Sequence, residues 1–88
     1  MSVVVVERSF PEPVGFPEIQ EMEVRGAGCL AAHGVRFLKS YFSLDRRRMI
    51  CLYEAPDAES VRESQTKIGA PFDTVWSATV HEAPPAPR

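Results

Sequence analysis

An α+β fold of order β-α-β-β-α-β, with a four-stranded antiparallel sheet and two helices on one of its faces, is predicted by three observations. β-branched and aromatic residues gather in four short runs. Apolar residues recur at helical spacing in two stretches between them. The order is strand-helix-strand, twice, within a chain of only 88 residues. This is the split-βαβ, ferredoxin-like arrangement. Right-handed crossovers put strands one and three in the centre and leave one sheet face open.

The elements follow in order. "VVVVERSF", Val3 to Phe10, reads as strand one and ends at "PEPVG", where Pro11 and Pro13 break regular structure. In "FPEIQEMEVRGAGCLAAHG", Ile19, Met22, Gly26, Cys29 or Leu30, and His33 fall on one helical stripe. Pro17 suits a first turn, Glu18 the positive helix end, and Gly34 the C′ position. Gly26 and Gly28 each weaken the helix by about 1 kcal/mol relative to Ala, and they permit close packing on a sheet. "VRFLKSYFS" and "RMICLYEA" read as a hairpin around "LDRR". "PDAESVRESQTKIGAP" reads as helix two, with Asp57 as N-cap, Val61 and Ile68 on its inner face and Gly69 closing it. "FDTVWSATVH" is the last strand. Residues 1–82 then form a single domain, and residues 83–88 a proline-rich flexible tail.

Composition narrows the function classes. The chain is 44% apolar and 25% charged, an ordinary globular balance. A formal net charge of −2 gives no general pull toward nucleic acid or an anionic membrane. No stretch approaches the ~20 apolar residues of a membrane span. The opening "MSVVVVERSF" lacks a basic region, so no signal peptide is expected. Cys29 and Cys51 form no disulfide framework and no CxxC site, so the expected address is a reducing cytoplasm with both thiols free. Dinucleotide, P-loop, zincin and nucleophile-elbow motifs are all missing.

Strand parity then selects a candidate site. A three-residue hairpin loop, Asp45 to Arg47, pairs Phe42 with Ile50 and Tyr41 with Cys51, which puts Ile50 and Leu52 under the helices. On that register the open face gathers Glu7, Lys39, Tyr41, Cys51 and Tyr53, and His81 joins from strand four. Val3, Val5, Phe37 and Val75 supply apolar surface on the same face. Polar groups converging on an apolar surface are the ordinary form of a ligand pocket. Plain structural roles compete with this at each position. A lone strand Cys packs as a small hydrophobe. Glu7 with Lys39, or Arg8 with Glu54, makes an ordinary ion pair. His33 favours a helix C-terminus. Arg46 to Arg48 form a solvated hairpin tip.

The stretch "FLKSYFSLDRRRMICLYEAPDAESVRESQTKIGAP", with "VVERSF" near the start, resembles a family of small bacterial domains of unknown function labelled nickel-binding protein-like. The most specific piece is Ser40, Tyr41, Asp45, Cys51 to Ala58, Glu59 and Arg62. The resemblance spans nearly all of the chain except the tail. It implies a ferredoxin-like dimer, and it places Cys51, Tyr53 and Glu54 in the family motif. Lys39 departs from the family pattern, and an ammonium there disfavours a cation in the same cleft. The resemblance makes nickel the candidate cofactor, with Cys51 and Glu7 as the metal-ligating candidates. Thiolate and carboxylate suit Ni(II), although Zn(II) or Cu binds such donors as well or better.

Two functions stand at this level. One is a non-enzymatic homodimer whose open faces enclose a small ligand or a transition-metal ion. The other is a cofactor-free oxygenase, cyclase or isomerase in the same cleft. That reading takes Glu7 as base and Tyr41, Tyr53 or Lys39 as stabiliser, and rests on fold analogy.

Overall fold

The structure is a computed structural model, and it describes residues 2–86. Pro87 and Arg88 of the expected tail lie outside the described residues; residues 83–86 carry no regular structure and are exposed. The elements are β1 (Ser2–Ser9), α1 (Phe16–Ala32), β2 (Arg36–Phe42), β3 (Arg48–Ala55), α2 (Ala58–Ile68) and β4 (Thr74–Ala78). The strands form one antiparallel sheet in the order β2-β3-β1-β4, so the two central strands are β3 and β1, as the crossover rule requires. Ile19 and Leu30 of α1 and Val61 of α2 join Val4, Val6, Met49, Cys51, Tyr53 and Val75 in one core. Both helices therefore cover the same sheet face, and the fold is the ferredoxin-like α+β arrangement.

Local chemistry explains the helix boundaries. Pro17 stands in the first turn of α1 and Glu18 supplies the acidic group there. His33 is the C-cap, and Gly34 takes the left-handed conformation, φ 71°, that turns the chain into β2. Asp57 caps α2 by accepting hydrogen bonds from the Ser60 N–H and hydroxyl, both at 2.7 Å, and Gly69 ends it at φ 72°. Gly26 does serve close packing, but against α2 rather than the sheet. A Cβ there would lie 2.6 Å from Cδ1 of Ile68. Gly28 has open space around it. Gly28→Ala is therefore expected to stabilise the protein by up to about 1 kcal/mol through helix propensity alone. Urea denaturation checks this, and a loss of stability would mean that Gly28 has a neighbour.

The hairpin differs from its sequence reading by one residue. Phe42 pairs with Met49, Tyr41 with Ile50 and Lys39 with Leu52. The Ser43 N–H donates to the Arg48 carbonyl at 2.9 Å, so the loop holds four residues, Leu44 to Arg47. Side chains build this turn without glycine. Asp45 accepts from the Ser43 hydroxyl at 2.6 Å and from the Arg47 N–H at 3.1 Å, and Arg46 takes the positive φ of 62°. An even loop reverses the parity of β3 relative to the three-residue loop. Met49, Cys51 and Tyr53 thus face the helices, while Ile50 and Leu52 lie on the open face.

Two further faces are corrected. A bulge between Phe37 and Lys39 leaves Leu38 unpaired and turns Phe37 toward the helices, where its ring packs 5.6 Å from that of Tyr53. Val75 pairs with the core residue Val6 and is buried among the helices as well. Val3 and Val5 do stand on the open face, across from Glu54 and Leu52.

Candidate functional site

The helix-facing side of β1 reads Val4, Val6, Arg8, so strand alternation drives an arginine into the core. Arg8 is 3% exposed. It does not pair with Glu54, whose partner is Arg36 at 3.5 Å on the surface. Its Nη1 donates to the Pro71 carbonyl at 2.7 Å. Its Nη2 donates to Gln65 Oε1 at 2.7 Å and to the Tyr53 hydroxyl at 3.1 Å. Gln65, fully buried on α2, also donates to the Tyr53 hydroxyl at 3.4 Å. The backbone places these groups by simple means. Tyr53 follows Cys51 by one strand repeat, and Gln65 follows Val61 by one helical turn.

This cluster borders a cavity of about 370 Å³ between α1 and the sheet. Met22, Leu30, Val35, Phe37 and Ile68 supply apolar walls; Arg8, Glu23, Arg36, Cys51, Tyr53 and Gln65 supply the polar groups. The volume suits a small organic molecule. Burial pushes the Cys51 thiol up, with Arg8 opposing, so the group is held as a thiol. Burial also pushes the Tyr53 phenol up, to about 12. Glu23 is raised as well, chiefly by burial, with Arg8 pulling the other way.

The six residues selected from sequence do not converge. Glu7, Lys39 and Tyr41 stand on the open face, where Glu7 is opposite Ile50 and Tyr41 pairs with the same residue from the other side. Glu7 accepts from the Thr74 hydroxyl at 2.6 Å and the Trp76 indole at 3.3 Å, and these bonds hold its carboxyl below the usual range. Glu7 and Tyr41 share a second hollow of about 430 Å³ with Arg48, Asp73 and Thr74. Cys51 and Tyr53 lie across the sheet on the helix side, a correction that follows from the four-residue loop. His81 falls beyond β4, exposed, with Nε2 2.9 Å from the Thr79 hydroxyl. Sequence reasoning missed Arg8, Glu23 and Gln65 as a group. The readable signal was Arg8 itself, a charge in phase with the helix-facing valines.

Fold and cavity together define a small ferredoxin-like domain with a ligand-sized chamber under its first helix. The chain belongs to the family described as "Nickel responsive protein SCO4226-like", whose family model matches residues 5–77. Among solved structures it is similar to the crystal structure of SCO4226 from Streptomyces coelicolor A3(2). The TM-score is 0.76 at 16% identity, over 98% of this chain and 100% of that one. At that identity the likeness shows the shared fold. No curated protein matches the chain. Among the described residues, no helix is long and apolar enough to cross a membrane.

The family description brings in nickel, and the donor set tests the fit. Among the described residues no three His, Cys, Asp or Glu side chains come together as a metal-holding group. Glu7 and Cys51, the candidates from sequence, stand on opposite faces of the sheet and cannot reach one ion within a chain. Burial also works against a Cys51 thiolate, the form that ligates metal. Within one chain, Glu7 and Cys51 therefore do not form a nickel centre.

Proposed function

We propose that this chain is a binding module rather than a catalyst, that its small ligand occupies the chamber under α1, and that two copies pair through their open sheet faces. The chamber carries the reading. It joins a mostly apolar wall to a few buried polar groups, which is the usual make-up of a ligand site. The catalytic alternative is weakened by two features of the open face. Glu7 is engaged by Thr74 and Trp76 and held below the usual carboxylate range, which makes it a poor base. Tyr53, one of its candidate stabilisers, lies on the other side of the sheet. Octanol, an uncharged probe, tests the chamber. Added to isotope-labelled protein, it should shift the NMR signals of Met22, Phe37 and Ile68. If those signals stay still while others move, the ligand site lies elsewhere.

Pairing is supported by the uncovered face, where half-buried Ile50 and Leu52 lie between Trp76, 45% exposed, and Tyr41, 59% exposed. Contiguous apolar surface of this kind marks an interaction site. The chain mass is 9.8 kDa, and sedimentation at micromolar concentration is expected to report twice that value. A clean monomer would remove the dimer from the proposal and leave the chamber untouched.

The family description favours a second reading, in which nickel is taken up between two copies, with Glu7 of each open face as a carboxylate donor. Such uptake would require the dimer and would amount to less than one ion per chain. Metal analysis of untagged protein loaded with nickel reads that ratio, and Glu7→Gln should abolish it.

A further inference from the structure

We propose that the chamber under α1 is an anion site, and that its ligand is a small organic acid whose carboxylate meets Arg8 while its apolar body lies against Met22, Leu30 and Phe37. This rests on the reading of the chamber as the ligand site and names the chemical class that fills it.

A buried charge stands outside any salt bridge among the described residues. Arg8 is almost wholly buried, yet all three of its hydrogen bonds go to neutral acceptors: a carbonyl, an amide oxygen and a phenol. Among the described residues the salt bridges are Arg36 with Glu54 and Arg62 with Glu59, and Arg8 is in neither. A buried guanidinium without a salt-bridged partner is costly to a fold, and Glu23 acts on Arg8 only through its field. Its Nε is also buried and has no hydrogen-bond partner, an uncommon state for an interior donor. The Tyr53 hydroxyl accepts from both Arg8 and Gln65, which leaves its own proton to Cys51 or to an incoming oxygen. A ligand carboxylate supplies the absent salt-bridge partner and can accept from both the guanidinium and the phenol.

The rest of the chamber selects the body of the acid. Its apolar walls do not match a fully hydrated ion such as inorganic phosphate, and its volume of about 370 Å³ leaves room for a short chain or a single ring. Glu23 borders the same space from α1, and Arg8 attracts its carboxylate. An entering acid therefore competes with Glu23 for the guanidinium, and Glu23→Gln should tighten binding.

Calorimetric titration of the full chain with octanoate, octanol and inorganic phosphate tests this. Octanoate is expected to bind at least about tenfold more tightly than octanol, the contribution of one charge-assisted contact. Arg8→Met should abolish that preference while octanol still binds. Equal affinities for octanoate and octanol would overturn the anion assignment and leave the chamber reading standing. Binding of neither, with no NMR shift at Met22 or Phe37, would overturn both. Phosphate binding as tightly as octanoate would overturn the organic-acid class. The wild-type comparison stands even if Arg8→Met fails to fold.

Discussion

Met49→Ala is expected to destabilise the protein by about 2–5 kcal/mol, whereas Ile50→Ala should cost the isolated chain no more than about 1 kcal/mol. The two residues are adjacent in β3, and only the hairpin register separates them. Met49 is 2% exposed in the core beneath the helices, so truncation loses its transfer free energy and leaves a cavity. Ile50 lies on the open face between Glu7 and Tyr41. Its truncation should instead weaken the proposed self-association, read as a shift of the sedimentation midpoint to higher concentration. In a domain of this size, each kcal/mol lowers the melting temperature by about 4–8 °C, so the contrast is measurable. A large loss from Ile50→Ala with little from Met49→Ala would restore the three-residue loop and return Cys51 to the open face.

Stability should also fall steeply in alkali, and the fall should depend on Tyr53. Its phenol titrates near the ordinary value of 10.0 in the unfolded chain and at about 12 in the folded one. A group whose folded pKa is raised contributes stability that is complete below the unfolded value. That stability is lost as pH rises through the folded value. The window therefore opens at pH 10.0 and closes near 12, and two pKa units correspond to about 2.7 kcal/mol. Cys51, raised from 9.0 by burial, extends the decline to lower pH. Tyr53→Phe removes the phenol and should flatten the profile. It should also lower neutral-pH stability by about 1 kcal/mol, because Gln65 Nε2 loses its acceptor. Urea denaturation from pH 7 to 12 measures both effects. An unchanged slope in the variant would place the alkaline loss in some other group.

Much of the fold was legible in the sequence because its signals are local. The strand runs, the helical stripes, the Asp57 cap and the Gly34 and Gly69 stops each depend on a few neighbouring residues, and the crossover rule then orders the strands. Faces are a different matter. β3 is apolar on both sides, with Met49, Cys51 and Tyr53 against Ile50 and Leu52, so alternation alone cannot say which set meets the helices. That choice hangs on one residue of loop length, and the loop closes through Ser43, Asp45 and a left-handed Arg46 rather than through the glycine that would have announced it. The bulge at Leu38 moved Phe37 by the same kind of single-residue step.

The candidate site divides along the same line. The sequence by itself determined that Arg8 shares a strand face with Val4 and Val6, because period-two alternation is a property of the chain. Only the tertiary structure decided that this face is the covered one and that Tyr53 and Gln65 meet the guanidinium there. Those partners stand 45 and 57 residues from Arg8 in sequence. Bringing them together required the sheet register and the packing of α2 over it, which are set by long-range burial and not by local pattern.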